Sequence, residues 1–176
     1  MYGQYLLLIL AIILLSSSSS WESSCLVSCA APTTPAAVWV IRAPEAFAAS
    51  VALPVVLTVP SQSLRENLTE WAGLIPEKAV MVSLMKGVEL GTTKRMSEVI
   101  HEVAGIPFER IVAVSGPNLS REIIQRQPAA TVVACPDERS ADTVAAACST
   151  SYFRPYTSPD LVGAEIGGAV KNVIAL

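Results

Sequence analysis

Ile111-Val112-Ala113-Val114-Ser115-Gly116-Pro117-Asn118 decides the fold. Four uncharged apolar residues and a serine suit a strand buried on both faces. Gly116 and Pro117 break the strand. Asn118, a residue type that caps helices, then leads into Leu119-Ser120-Arg121-Glu122. A strand that turns directly into a helix brings free backbone N–H groups to the end of a sheet, where anions bind. An ordinary strand–turn–helix junction explains the stretch equally well, so its neighbours must decide.

They repeat the pattern. Before it, Val55 to Val59 is apolar and stops at Pro60, and Ser61 to Leu74 carries Leu64, Leu68 and Trp71 at helical spacing. Ser63 and Glu66 form a candidate capping box there. Ala79 to Leu84 reads as a strand and Thr92 to Val103 as a helix, with Met96, Val99, Ile100 and Val103 on one face. After it come a strand over Ala130 to Ala134, a helix capped by Asp137 and running to about Cys148, a short strand over Tyr152 to Tyr156, and a helix from Leu161 to Leu176. This alternation predicts an α/β fold, a parallel sheet with helices on both faces. Such sheets bind ligands at the carboxyl ends of their strands. Pro60-Ser61-Gln62, Lys86-Gly87 and Gly116-Pro117-Asn118 all fall there.

Composition narrows the function. The 176 residues suffice for one domain, and the net charge of −3 offers no basic face for nucleic acid. Mean hydropathy is +0.49. Part of that excess is the run Tyr5 to Leu15, shorter than the roughly 20 residues of a membrane-spanning helix. The run resembles the apolar core of an export leader, yet the first basic residue is Arg42 and a serine run fills 16–20. Leu26-Val27-Ser28-Cys29 is a poor match to a lipoprotein cleavage box. Cys135 and Cys148 sit in apolar runs and read as small core residues. With His101 the single histidine and the cysteines scattered, no metal site is expected.

Two lysines stand out. Lys86 ends a strand and precedes Gly87, which lets a ligand approach the backbone. A surface lysine at a strand end is the plainer account of that position. Lys171 follows Gly167-Gly168-Ala169-Val170 in an otherwise apolar helix and reads as buried. Burial and a second ammonium would lower its pKa and suit it to proton transfer between a carbonyl and an alcohol. An ion pair with Glu165 or Asp160 is the alternative. His101 falls on a polar helix face and is assigned no role.

Taken together, four motifs resemble the bacterial type of NAD(P)-dependent glycerol-3-phosphate dehydrogenase. They are Val55-Val56-Leu57-Thr58-Val59-Pro60-Ser61-Gln62-Ser63-Leu64-Arg65, Lys86-Gly87, Ser115-Gly116-Pro117-Asn118-Leu119-Ser120-Arg121-Glu122, and Gly167-Gly168-Ala169-Val170-Lys171-Asn172-Val173-Ile174-Ala175. The resemblance covers Val55 to Leu176. It implies a Rossmann-like fold and a hydride passed between NAD or NADP and C2 of glycerol 3-phosphate, with dihydroxyacetone phosphate as the ketone, in the supply of phospholipid precursors. It makes Lys171 the proton acceptor. It places Lys86 against both nucleotide and substrate, Gly116, Asn118 and Asn172 against the substrate, and Ser120 against the nucleotide. Val38-Trp39-Val40-Ile41-Arg42-Ala43-Pro44-Glu45 resembles the family's second strand, with Arg42 the basic residue for the ribose phosphate. It further implies a cytoplasmic protein with a small-molecule substrate, and leaves a homodimer open.

The departures set further expectations. The family opens with a Gly-x-Gly-x-x-Gly turn for the pyrophosphate. Here Gly3 is the only glycine before Gly73. The family's C-terminal helical domain, with its clamp for the substrate phosphate, has no counterpart up to Leu176. Residues 1–37 therefore read as an apolar, serine-rich leader foreign to the family, 38–54 as a degenerate remnant of the nucleotide-binding domain, and 55–176 as the part of that domain ending in the active-site helix. The expectation is negligible turnover by this chain alone. The alternative is a non-catalytic remnant or interaction protein, membrane-tethered through Tyr5 to Leu15.

Overall fold

The computed structural model describes residues 54–174, with two short strands before them, and without the side chains of Ser120, Arg121, Asn172 and Ile174. The strands are β1 (Val27–Cys29), β2 (Val38–Ile41), β3 (Pro54–Leu57), β4 (Val80–Ser83), β5 (Ile111–Ser115), β6 (Ala129–Ala134) and β7 (Phe153–Ser158). The helices are α1 (Leu64–Trp71), α2 (Met96–Ala104), α3 (Ser120–Ile124), α4 (Glu138–Cys148) and α5 (Leu161–Ile174). The run Tyr5 to Leu15 and Arg42 lie outside the described residues. Among those described, no helix is long and apolar enough to cross a membrane.

The strands lie in chain order in one sheet. β3, β4 and β5 are parallel, in the register Leu57 to Ser83 and Ser83 to Ala113. β6 pairs with β7 in parallel, through Val132 to Tyr156 and Ala134 to Ser158. The sheet as a whole is mixed, because β5 and β6 are antiparallel. The reason is the link between them. α3 has five residues and spans about 7.5 Å, whereas β5, also five residues, spans about 16 Å. So short a helix cannot carry the chain back to the other edge for a parallel crossover. β2 also departs from the parallel neighbour that the resemblance implies, pairing antiparallel with β3 and with β1.

Both faces of the central strands are buried, as their unbroken apolar runs require. On one face Val55, Leu57, Met81 and Ile111 meet Leu64, Leu68 and Trp71 of α1 and Met96, Val99 and Ile100 of α2. On the other, Val56, Val82, Val112 and Val114 form one core with Ile123, Phe153 and the α4 side chains Ala141, Val144 and Cys148. Leu64, Leu68 and Ile100 are wholly buried, each contributing about 1.5–3 kcal/mol against exposure. α5 lies on the α1/α2 face, where small residues let it approach. Its Leu161 and Ala164 pack on Ala113 and Ala134.

Some helix starts differ from their sequence signals. Ser63 makes no side-chain cap, and its hydroxyl instead donates to the Pro60 carbonyl at 3.0 Å. α2 begins at Met96 rather than Thr92, since Gly91 and Thr93 take left-handed backbone (φ 85° and 58°). The Glu98 carboxylate accepts from the Arg95 N–H at 2.8 Å and closes that helix start. Asp137 caps α4 as its sequence indicates, accepting from the Ser140 N–H at 2.9 Å.

Candidate functional site

The carboxyl ends of β3, β4 and β5 and the start of β6 meet along one edge of the sheet, and the predicted motifs converge there. The segment after β3 supplies Ser61 and Gln62. Gln62 bridges the loop after β4, its Nε2 donating to the Val88 carbonyl at 2.8 Å and its Oε1 accepting from the Leu90 N–H at 2.9 Å. Gly87 has φ 120°, a backbone open to glycine, and a Cβ there would stand 3.3 Å from Ser61 Oγ.

Lys86 crosses to the next strand end. Its Nζ donates to the Gly116 carbonyl at 2.7 Å. Burial, and after it the charge of Lys171, lowers its pKa. Gly116 is tightly enclosed, for a Cβ on it would stand 3.3 Å from the Ala130 carbonyl oxygen, Asn118 Nδ2 and Thr131 Cα. Asn118 does not cap α3, which starts at Ser120 with the Leu119 carbonyl accepting its first bonds. The Asn118 side chain turns to the sheet instead. Its Nδ2 donates to Thr131 Oγ1 at 3.0 Å, and that hydroxyl donates to the Ser115 carbonyl at 3.0 Å. This relay orients the amide and leaves Asn118 Oδ1 a buried acceptor without a partner.

α5 closes the site over Gly168. A Cβ there would come within 2.6 Å of Ser115 Oγ and 3.7 Å of Lys86 Cγ, so only glycine lets the helix sit this close. Three residues on, Lys171 is exposed rather than buried. Gly168 occupies the inward position, and Lys171 falls at its rim. Neither proposed ion-pair partner serves Lys171. Glu165 is held by Arg95 at 2.7 Å, and Asp160 Oδ1 accepts from the Gly163 N–H at 2.7 Å. His101 Nδ1 contacts the Ile106 carbonyl at 2.7 Å, and its ring stacks on Phe108.

Lys86, Gly116, Asn118 and Lys171 thus share one edge. Ser120 opens α3 and Asn172 lies within α5, but their side chains are outside the description, as is Arg42. Sequence reasoning missed Thr131, whose signal is a lone hydroxyl in the apolar strand Ala129–Ala134. A cleft of about 320 Å³, lined among others by Gly116, Pro117, Glu122, Thr131 and Tyr156, opens on the β6 side of Gly116; Lys86, Asn118 and Lys171 do not line it. Two ammonium groups, an unpaired acceptor and close-packed glycines suit a small anionic ligand that also donates a hydrogen bond. Among the described residues, no cluster of three or more His, Cys, Asp or Glu could hold a metal.

Residues 35–141 match the sequence pattern of a family described as NAD-dependent glycerol-3-phosphate dehydrogenase N-terminus. Over 120 residues the chain is 63% identical to a glycerol-3-phosphate dehydrogenase [NAD(P)+] of Streptomyces griseus, a stretch covering 68% of this chain and 36% of that protein. The corresponding protein of Corynebacterium glutamicum is 62% identical over 122 residues, covering 69% and 37%. The chain therefore spans little more than a third of the length of the curated relatives it matches. The fold is similar to the crystal structure of a glycerol-3-phosphate dehydrogenase from Coxiella burnetii, with a TM-score of 0.61 at 28% identity over 69% of this chain and 36% of that one. It is likewise similar to the Saccharomyces cerevisiae enzyme, with a TM-score of 0.61 at 27% identity over 69% and 37%.

Proposed function

This chain belongs to the NAD-dependent glycerol-3-phosphate dehydrogenase family, and we propose that its strand-end site serves hydride transfer between NAD or NADP and glycerol 3-phosphate/dihydroxyacetone phosphate. The observation that carries the proposal is the seating of α5. Gly168 rests on Ser115 and Lys86, and that contact brings the Lys171 charge close enough to weigh on Lys86.

Each residue then has a task. Lys171, at the rim, takes the hydroxyl proton of glycerol 3-phosphate or returns it to the ketone oxygen. Lys86 offers a cation to the substrate and the nucleotide. Asn118 Oδ1 accepts from a ligand hydroxyl, while Gly116 keeps the backbone accessible beside it. The family resemblance assigns Asn172 to the substrate, Ser120 to the nucleotide and Arg42 to the ribose phosphate. The orphaned Asn118 acceptor and the glycine cradle fit the reacting end of such a cofactor, which when bound exchanges the hydride. The sequence has no Gly-x-Gly-x-x-Gly turn.

The same proposal extends to the surroundings. Residues 55–176 act as the nucleotide-binding portion and 38–54 as a remnant of it, and the chain works in the cytoplasm, where the nicotinamide nucleotides are. The exposed side chains Val162, Ile166, Val170 and Val173 of α5 supply apolar surface for a homodimer, which sedimentation velocity measures.

Two measurements test the site. The first is amide shifts of Gly87, Gly116 and Asn118 during titration with dihydroxyacetone phosphate. A site blind to millimolar ligand would sink the reading. The second is oxidation of NADH and NADPH with that ketone. Turnover by this chain alone is expected to be negligible, and any that is measured should be lost in Lys171→Ala. Turnover that survives the substitution removes Lys171 from its role.

A further inference from the structure

Glu165 is a 9%-exposed carboxylate in an otherwise apolar helix face, and its bonds all go to one place. Its Oε1 accepts from the Ser97 backbone N–H at 2.8 Å. Its Oε2 accepts from the Ser97 hydroxyl at 2.6 Å and from Arg95 Nη1 at 2.7 Å. Ser97 is the second residue of α2, so the carboxylate meets the free N–H groups and positive end of that helix. Arg95 is itself steadied by Glu98, 3.3 Å from its Nε.

A carboxylate at that depth is tolerable only in such a socket. Sliding α5 by one turn, about 5.4 Å, would leave it unpaired among apolar groups. Buried ion pairs of this kind are best attested as register devices. Gly168 lies three residues further on, on the same helix face, where it touches Ser115 and Lys86.

We propose that Glu165 is a positioning residue: its seat on Ser97 and Arg95 fixes the axial register of α5, and so sets Gly168 over Lys86 and Ser115 and holds Lys171 beside Lys86. The proposal bears on turnover only through the roles given above to Lys86 and Lys171. The geometry it requires is measurable without turnover.

The chain has four lysines, Lys78, Lys86, Lys94 and Lys171, so carbon-13 labelling of the lysine side chains resolves each ammonium. The experiment titrates Lys86 in the full chain and in three variants. In Glu165→Gln, α5 loosens, water reaches Lys86, and its midpoint rises toward the ordinary value of about 10.4. Ser97→Ala removes one of the three bonds and moves the midpoint the same way by less. Val144→Ala opens a cavity under α4 on the opposite face; it lowers the melting temperature and leaves the Lys86 midpoint in place. An unmoved midpoint in folded Glu165→Gln, or an equal rise in Val144→Ala, overturns the proposal. Should Glu165→Gln not fold, Ser97→Ala decides alone. A site blind to dihydroxyacetone phosphate would count against the proposed reaction and leave this comparison standing.

Discussion

Lys86 Nζ reaches the carbonyl of Gly116, 30 residues further along the chain, at 2.7 Å. The contact ties the end of β4 to the end of β5 and holds a half-buried ammonium. Burial, and after it the charge of Lys171, pulls Lys86 below the ordinary lysine value of 10.5. The folded chain therefore releases this proton more readily than the unfolded one. From the depressed midpoint up to about 10.5, stability rises with pH on this account. Buried Cys135 and Cys148 work in the opposite sense, their thiols raised by burial, Cys148 to about 12. Comparing variants separates the two.

Lys86→Met is expected to abolish the lysine part of the alkaline rise. Lys171→Met should raise the Lys86 midpoint only in part, because burial is the larger cause. Thermal melts from pH 7 to 11, paired with lysine NMR, check both outcomes. A Lys86 midpoint restored fully by Lys171→Met would mean that burial had been overrated.

Adjacent glycines in α5 should respond with opposite signs. A Cβ on Gly168 stands 2.6 Å from Ser115 Oγ, so Gly168→Ala forces the helix or the serine to move. Overpacking of this kind costs about 1–3 kcal/mol. A Cβ on Gly167 meets nothing within 4 Å. Gly167→Ala should stabilise the chain by about 0.5–1 kcal/mol through helix propensity alone. Urea denaturation of the two variants reads the difference. Adding Ser115→Gly to Gly168→Ala should recover part of the loss.

The contrast between those glycines marks how far the sequence could be read. Apolar runs located β3, β4 and β5 because strands buried on both faces leave a continuous signature. The motifs at their ends converged because strand carboxyl ends share an edge. The partner of Asn118 was not legible. A turn asparagine suits a cap, and only the folded register shows Thr131 opposite it. The apolar neighbours of Lys171 suggest burial, yet the helical period puts Gly168 inward and Lys171 at the rim. Sequence proximity offers Glu165 as a partner for Lys171, whereas Ser97 and Arg95 hold it from 68 and 70 residues away. The antiparallel β5–β6 pair turned on the length of α3, a boundary that propensity sets poorly.

Acid should weaken the loop that follows Lys86 and Gly87. Arg65 grips Glu89 through two bonds, Nε to Oε1 at 2.8 Å and Nη2 to Oε2 at 3.0 Å. The Arg65 bonds first, and the Thr92 hydroxyl after them, hold the Glu89 carboxyl down at about 2 from an ordinary 4.5. A depressed carboxylate contributes stability that is complete above the unfolded value and lost as pH falls through the folded one. The loss therefore falls between about 4.5 and 2. Glu89→Gln should melt lower than wild type at pH 7, and the gap should close near pH 2. Calorimetry across that interval checks it; a gap independent of pH would assign the loss to packing instead.

Asn118 should separate stability from binding. Its Nδ2 bond to Thr131 contributes roughly 0.5–1.5 kcal/mol, while its orphaned Oδ1 costs about 1–3 kcal/mol of uncompensated desolvation. Asn118→Ala removes both, so the free chain should change in stability by less than about 1 kcal/mol. A ligand hydroxyl that satisfies Oδ1 loses its acceptor in the same variant. Binding of dihydroxyacetone phosphate should then weaken by about tenfold, the equivalent of one such bond at roughly 1.4 kcal/mol. Urea denaturation and an amide-shift titration on one preparation give both numbers. Unchanged affinity would show that the orphaned acceptor faces no ligand. A fall in stability as large as the fall in affinity would make Asn118 a structural residue whose relay to Thr131 and Ser115 holds the strand ends together.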